Sequence, residues 1–333
     1  MRNQLMGWHF PLVIEYDSNE LPDGFGAQAV RLVGIYSIAS KFRLQYRHSP
    51  IKFIPKEELV GFPYSEDKYK SIMDKIVELT FLPDTKKTLS ERRLVVKRRV
   101  IGRKALLLLI VVSILRKLLM RQQLVLSLCL PQGVTDKMPK ILELGAEEMR
   151  KNFDYILASS KNEEVVIHFR GGFRVVDSNR PQLTPDYYNA ALKQASRYMN
   201  LSKITIHTDF FPSDLQSSNL SNRAKFFIEW FNSHQLQKMC SEIEAKHYAP
   251  IVDSLEDMIQ SKLLIISNSS LSYFAGLINP NVIIWPPIHG HSRLPRWKRG
   301  PEFSDSHMFI DKNHVPYTNW IDPNNFLPQN YKV

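Results

Sequence analysis

The stretch 163–174 ends a run of β-branched residues in a histidine, two arginines and a pair of glycines. The apolar run Val165–Ile167 predicts a strand that enters a core, and His168, Arg170 and Arg174 follow at its C-terminal end. Ligands of open α/β sheets bind at that end, where the loops leaving the strands form a crevice. A guanidinium offers a planar fork of donors that matches two phosphate oxygens. The stretch therefore predicts a diphosphate site, and a β-turn with surface arginines is the alternative.

Two further predicted strands also end in polar side chains. The strand predicted at 203–209 ends in Thr208 and Asp209, and the one at 263–266 is followed by a cluster of serines. Right-handed β/α connections between parallel strands place such ends on one edge of a sheet. The convergence of three polar strand ends favours a ligand cleft over a turn.

The serine cluster lies directly before an apolar helix that starts near Leu271. Ser267, Ser269 and Ser270 offer hydroxyl groups, and the first turn of a helix offers amides that have no intrahelical partner. Such helix ends bind phosphate, so we expect the cluster to hold the second phosphate of a diphosphate. A plain helix N-cap is the alternative, although with Ser272 the cluster has more serines than one cap requires.

A glycine loop near the start of the chain is a fourth candidate element. Gly24 and Gly26 separate a strand predicted at 12–14 from an apolar helix at 29–39. Two glycines are too few for the dinucleotide fingerprint, which needs three at set offsets. The loop still places backbone N–H groups at a helix N-terminus, where the helix dipole favours a bound anion. A structural turn is the alternative.

Glycosyl transfer is the chemistry that these elements suit. Breaking the bond between a sugar and a nucleoside diphosphate leaves negative charge on the diphosphate, which cationic and amide donors stabilise. No Asp-x-Asp pair lies near the loops to hold a divalent ion. We therefore expect a metal-independent mechanism without a cofactor, in which Arg170 takes the role that Mg²⁺ has elsewhere.

An acceptor hydroxyl also needs a general base. Asp23, directly before the glycine loop, is the leading candidate, and Asp177 and Glu302 are weaker ones. The alternative for Asp23 is an Asx-turn residue. His289 and His291 have no third ligand nearby that would make a metal site, so we expect both histidines to line the acceptor side.

Length and composition predict two domains. A chain of 333 residues with 44% hydrophobic content exceeds the size at which single cores stop growing. We place an N-terminal, acceptor-side domain at 1–150 and a C-terminal donor domain at 151–333. The formal net charge of +11 implies anionic partners such as nucleotide-sugar phosphates, a lipid surface or nucleic acid.

The cysteines and the first residues bear on the compartment. The chain has only two cysteines, so no disulfide framework is expected and a reducing compartment is favoured. The first residues lack the long apolar core of a signal peptide. We therefore expect a cytoplasmic location.

One segment combines cations with a long apolar run. Between residues 92 and 121, ten lysines and arginines flank the apolar run Ala105–Leu115. Such a run is too short to span a bilayer, which needs about 20 residues. It predicts either a buried core element between solvated charges or a basic, apolar patch that rests on an anionic membrane.

At these motifs the chain resembles the fucosyltransferases related to the α1,2-, α1,6- and protein O-fucosyltransferases. Asp23–Gln28 is similar to their glycine-rich entrance loop, and Ile167–Gly171 is similar to their His-x-Arg motif. Ile206–Asp209 resembles their strand that ends in acidic residues, and the stretch from Asp253 to Tyr273 resembles their last donor motif. The similarity leaves residues 55–160 unmatched.

The resemblance implies an α/β protein of GT-B architecture, with two Rossmann-like domains that face each other across a cleft. It also implies transfer of fucose from GDP-fucose to a glycan hydroxyl, with inversion at the sugar and without a metal. By the same resemblance Arg170 contacts the diphosphate. His168 and Asp253 would contact the guanosine, and Ser269 and Ser270 the β-phosphate.

Two positions depart from the family pattern. Gly171 and Phe173 stand where the α1,2 and α1,6 members carry a second arginine and an acidic residue, which leaves the linkage and the sugar open. A transferase that uses another nucleotide sugar is one alternative. A basic protein that binds a membrane surface or a nucleic acid through residues 86–121 is another, and the ordered sugar-nucleotide motifs argue against nucleic acid.

Overall fold

The structure is a computed structural model that describes residues 9–18, 24–54, 65–85, 92–158, 165–170, 182–210, 222–287, 291–302 and 308–309. These residues form two parallel α/β units that follow one another along the chain.

The first unit is a four-stranded parallel sheet with its connecting helices. Its strands are β1 (Phe10–Tyr16), β2 (Leu44–Arg47), β3 (Arg93–Val100) and β4 (Gln123–Leu130), in the spatial order β2-β1-β4-β3. The helices between them are α1 (Phe25–Phe42), α2 (Glu66–Leu79) and α3 (Arg103–Met120). The two inner strands β1 and β4 are largely buried, as expected for parallel strands that helices cover.

Short helices lead from the first unit to the second. They are α4 (Gln132–Thr135), α5 (Leu142–Arg150) and α6 (Asp154–Ala158), with 3₁₀ turns at Pro139–Ile141 and Lys151–Phe153. The Asn152 amide donates to the carbonyl groups of Leu79 and Phe81 at 3.1 and 2.6 Å, which ties the second 3₁₀ turn to the end of α2.

The second unit is a six-stranded parallel sheet in the order β11-β10-β9-β5-β7-β8. Its strands are β5 (Val165–Phe169), β7 (Lys203–Thr208), β8 (Glu242–His247), β9 (Leu263–Ile265), β10 (Val282–Trp285) and β11 (Lys298–Arg299). Its helices are α7 (Pro185–Ala195), α8 (Asn222–Phe231), α9 (His234–Met239), α10 (Ile251–Gln260) and α11 (Ser270–Ile278). The short strands β6 (Gln182–Leu183) and β12 (Met308–Phe309) form an antiparallel ribbon beside it.

The predicted α/β class is confirmed. Both sheets are parallel and carry helices between their strands, which is the arrangement of two Rossmann-like units. β5 is buried at every position and lies between β9 and β7, as the β-branched run predicts. The limits 1–150 and 151–333 for the two domains stay a prediction.

Helix α1 joins the two units. It is buried along most of its length because α5 and α11 pack against it in addition to its own sheet. Glycines permit this approach: a Cβ on Gly26 would lie 2.3 Å from the backbone nitrogen of Leu271, and one on Gly145 would lie 2.4 Å from the carbonyl oxygen of Val33. One hydrophobic cluster consequently runs from β1 through α1 into α10 and α11.

Helix α3 does not match the buried alternative for the apolar run. Only Leu106, Ile110 and Ser113 are buried, on the side that contacts β1 and β4. The opposite side exposes leucines such as Leu108 and Leu118 to solvent. The run is therefore a helix with one buried face and not a core element. Among the described residues, no helix has the length and apolar character needed to cross a bilayer.

Replacing Gly26 with alanine tests the close approach of α1 and α11. The added methyl group meets the backbone of Leu271, which cannot rotate away, so we expect Gly26→Ala to lower the free energy of unfolding by about 1–3 kcal/mol. Gly102→Ala is the control for steric space, because a Cβ at Gly102 has nothing within 4 Å, although Gly102 is the N-cap of α3, where alanine costs up to about 1 kcal/mol. Urea unfolding should give a larger loss for Gly26→Ala than for Gly102→Ala. Equal losses would contradict the packing.

Candidate active site

Strand β5 delivers two of the predicted residues to the carboxyl edge of the second sheet. β5 and β7 are paired in register, so that His168 lies beside His207, and both histidines are buried. Arg170 is the first residue after the strand. The carboxyl edge of a parallel sheet is where α/β proteins bind ligands, and β5 therefore places a cation where a ligand is expected.

His168 is anchored and neutral. Its Nδ1 lies 2.7 Å from the hydroxyl oxygen of Ser267, on the serine loop between β9 and α11. Burial, then the charge of Arg170, and then His207 lower the pKa of His168 to about 3. Because the ring stays uncharged near neutral pH, His168 can position a ligand by hydrogen bonding but cannot act as a general acid.

Arg170 reaches the same serine loop. Its Nη1 donates to the carbonyl oxygen of Asn268 at 3.2 Å. The structure thus brings the predicted cation and the loop carrying Ser267, Ser269 and Ser270 together, although the two lie about a hundred residues apart in the chain.

The two helices that begin near this point carry no negative charge in their first turns. Neither α1 nor α11 has an acidic residue there. Gly24 is the N-cap of α1 and makes no side-chain capping hydrogen bond. Gly26 lies against Leu271, so the first turns of both helices are adjacent. The positive ends of two helix dipoles therefore lie near the guanidinium of Arg170, an arrangement that suits a multiply charged anion.

The serine hydroxyls of the loop have partners in the protein. Ser269 is the N-cap of α11 and accepts from the Leu271 amide at 3.3 Å. Ser272 Oγ donates to the carbonyl oxygen of Ser269 at 3.2 Å and accepts from the Ser267 amide at 3.3 Å. These bonds shape the loop itself, so the number of serines is no separate sign of a ligand. A role for Ser269 and Ser270 at a phosphate stays a prediction.

A small pocket lies beside the serine loop, between the end of β4 and α11. Its lining includes Asp136 from the first unit and Tyr273 and His291 from the second. His291 Nε2 lies 3.4 Å from Ser270 Oγ, and the ring of His291 packs on Tyr273 with centroids 4.6 Å apart. His291, predicted on the acceptor side, therefore connects the pocket to the loop that Arg170 contacts.

Asp136 is a titratable residue of this pocket that was not predicted from the sequence. The residue is exposed as a whole, yet desolvation of its carboxyl group raises the pKa to about 6. Burial raises the pKa of Tyr273, and the carboxyl group of Asp136 raises it further. The available signal was positional, because Asp136 follows the carboxyl end of the predicted strand at 124–130.

A buried charged network on the second unit was also missed. Asp257 Oδ2 accepts from His207 Nε2 at 2.9 Å and from Lys246 Nζ at 2.6 Å. Burial alone would raise the pKa of Asp257, but the two hydrogen bonds together with the charges of His207 and Lys246 outweigh it, and the pKa is lowered. Asp253, the residue predicted from the sequence, lies one turn earlier on α10 and is exposed. Its contact with a guanosine stays a prediction.

Several predicted residues lie outside the described part of the chain. They are Asp23, the leading candidate base, Asp177, Arg174 and His289. Glu302 is described and exposed at the surface. Among the described residues, no three His, Cys, Asp or Glu side chains are grouped so that they could hold a metal ion.

The chain aligns with solved glycosyltransferases at low sequence identity and with TM-scores below 0.4. E. coli heptosyltransferase WaaC with ADP-2-deoxy-2-fluoro heptose aligns with a TM-score of 0.37 and 10% identity, over 86% of this chain and 92% of that chain. POFUT1 in complex with GDP aligns with a TM-score of 0.39 and 13% identity, over 86% and 97%. E. coli ADP-heptose lps heptosyltransferase II aligns with a TM-score of 0.34 and 11% identity, over 89% of this chain and 92% of that chain. No protein-family model and no curated protein matches the sequence, so these values assign the chain to no family.

The neutral state of His168 predicts an acid-sensitive fold. The pKa of His168 is about 3 in the native protein against 6.5 ordinarily. Below pH 6.5 the unfolded chain therefore binds a proton that the native state excludes. The stability present above pH 6.5 is lost as the pH falls toward 3, at up to about 1.4 kcal/mol per pH unit.

Urea unfolding between pH 6 and pH 4 measures how the free energy of unfolding changes with pH. We expect His168→Asn to flatten the dependence of the unfolding free energy on pH by about one proton. His234→Asn, at an exposed histidine of α9, is the control and should leave the slope unchanged. An unaltered slope in His168→Asn would show that His168 is not held neutral.

Proposed function

We propose that the protein is a nucleotide-sugar-dependent glycosyltransferase that moves fucose from GDP-fucose to a glycan hydroxyl, with inversion and without a metal. The observation that carries this proposal is the contact of Arg170 with the loop before α11, at the place where the first turns of α1 and α11 meet. The site joins three sources of positive charge, which are the guanidinium of Arg170 and the N-termini of α1 and α11. Neither helix has an acidic residue in its first turn. The choice of fucose rests on the sequence resemblance.

The leaving diphosphate is the group that this charge would stabilise. As the bond between the sugar carbon and the diphosphate oxygen breaks, negative charge grows on the diphosphate. The guanidinium of Arg170 and the amides at the helix starts are fixed before the reaction, so they stabilise that charge without reorganising. No metal ion is required for this step, because the protein supplies the counter-charge.

The acceptor hydroxyl would approach from the pocket that contains Asp136 and His291. A carboxylate with a pKa of about 6 is largely ionised at neutral pH and still basic enough to take a proton from a hydroxyl group as it attacks. The new bond forms on the face of the sugar carbon opposite the departing diphosphate, and a single displacement of this kind inverts the configuration. Asp136 therefore joins Asp23 as a candidate general base.

The interior of the protein suits a reducing compartment. Both cysteines, Cys129 and Cys240, are buried thiols, and proteins without disulfides are typical of the cytosol. We place the proposed reaction in the cytoplasm for this reason.

Calorimetric titration with GDP, ADP, UDP and CMP tests the donor site. We expect GDP to bind most tightly and Arg170→Ala to weaken it at least about 100-fold, because the diphosphate loses a charge-assisted bidentate partner. Arg170→Lys keeps the charge without the planar fork, so its affinity for GDP should lie between those of the wild type and Arg170→Ala. Arg197→Ala, at an exposed arginine after α7, is the matched control. Undiminished binding by Arg170→Ala would place the diphosphate elsewhere.

Asp136→Asn tests the proposed base. With GDP-fucose and a glycan acceptor we expect kcat to fall by about 10²–10⁴, while the Kd for GDP is unchanged. In the wild type, kcat/KM should rise with pH through about 6 as the carboxyl group of Asp136 loses its proton. Asp74→Asn, at an exposed carboxylate of α2, should retain activity. Full activity of Asp136→Asn would exclude Asp136 and leave Asp23.

A further inference from the structure

Helix α3 exposes a continuous apolar stripe. Leu108, Leu118 and Leu119 are 64%, 72% and 78% exposed. Leu107, Val111 and Leu115 are also exposed, and all six recur at the spacing of one helix face. The face opposite carries the three buried residues of α3. A helix of a folded protein normally turns its apolar side inward, so this second apolar face needs a partner outside the described structure.

Cations precede and follow the stripe along the chain. They are Arg92, Arg93, Lys97, Arg98, Arg99, Arg103, Lys104, Arg116, Lys117 and Arg121, and the sequence has no aspartate or glutamate from residue 92 to residue 135. Most of these cations lie on β3, the edge strand of the first sheet, or at the two ends of α3. β3 itself exposes Leu94, Val95 and Val100. We name the α3 surface as the apolar stripe together with the cations at the two ends of α3 and those on β3, which precedes α3 in the chain.

Charge identifies the kind of partner that this surface fits. A second copy in a twofold contact along the stripe would bring the cations at the ends of α3 from both copies together, and like charges in contact disfavour association. The chain segment 310–333 has two acids and two lysines, so it brings no net negative charge. Nucleic acid supplies negative charge but nothing that buries leucines.

A bilayer that contains anionic lipid supplies both properties. Its headgroups attract lysine and arginine, and its acyl chains receive the apolar face of a helix that lies in the interface. The long stems of lysine and arginine can cover apolar surface while their charged ends reach the headgroups. α3 does not have the character of a spanning helix. We infer that the α3 surface binds the face of an anionic phospholipid membrane, with α3 lying parallel to it.

Vesicle co-sedimentation of the full chain tests this inference. The wild type should pellet with vesicles of phosphatidylcholine that contain about 30% phosphatidylserine, and binding to phosphatidylcholine alone should be at least about tenfold weaker. Binding should also fall steeply in about 0.5 M NaCl. The assay contains no sugar nucleotide, so its result is independent of the proposed transferase activity.

Two variants separate the apolar and the charged contributions. Leu108→Gln/Leu118→Gln and Arg98→Gln/Lys104→Gln should each weaken vesicle binding at least about tenfold. All four positions are exposed, and unchanged thermal unfolding checks that the fold is kept. Leu144→Gln, at an exposed leucine of α5, is the control and should bind as the wild type does.

Three results would overturn the inference. The first is an absence of wild-type pelleting with the anionic vesicles, and the second is vesicle binding by both double variants that is as strong as that of the wild type. The third is a concentration-dependent dimer that dissociates in Leu108→Gln/Leu118→Gln. The last result would assign the apolar stripe to a second copy of the chain.

Discussion

The close approach of Gly26 to Leu271 is the constraint on which the rest of the structure depends. With no room for a Cβ at Gly26, α1 and α11 begin side by side and the two units share one core. The adjacent N-termini of α1 and α11 bring the positive ends of two helix dipoles together. Arg170 adds a full positive charge close to them. Such a concentration of positive potential is unfavourable alone and is relieved by an anion.

The elements that carry the site were predictable because their signals are local. The β-branched run before His168 and the apolar run before Ser267 each form a buried strand, and parallel topology then places their ends on one edge. That Arg170 contacts the serine loop follows from this topology. The excess of serines was a weaker signal, since hydroxyl groups also bond to one another and to the backbone.

Other features depend on contacts that sequence spacing does not contain. Asp136 and His291 line one pocket although they belong to different units, and the raised pKa of Asp136 comes from desolvation in that pocket. Asp253 and Asp257 lie one turn apart on the same face of α10, and Asp257 is buried where it contacts His207 and Lys246, whereas Asp253 is exposed. The apolar run of α3 was ambiguous, since an apolar helix can be buried in a core or can bind a membrane surface. Which of its residues are buried depends on how α3 packs on β1 and β4.

The first unit places the start of α3 and the pocket close to each other. A Cβ on Gly133 would lie 2.4 Å from the carbonyl oxygen of Ile101, two residues before α3, and Asp136 follows Gly133 by three residues. The N-terminal end of α3 therefore lies near the pocket, which suits an acceptor that is carried on a lipid.

A crystal structure of the protein with bound GDP tests the central claim most directly. The account predicts that the diphosphate lies within hydrogen-bonding distance of the Arg170 guanidinium and of amides in the first turn of α11, beside Gly26. GDP bound with its diphosphate away from both helix starts, and out of reach of Arg170, would contradict it.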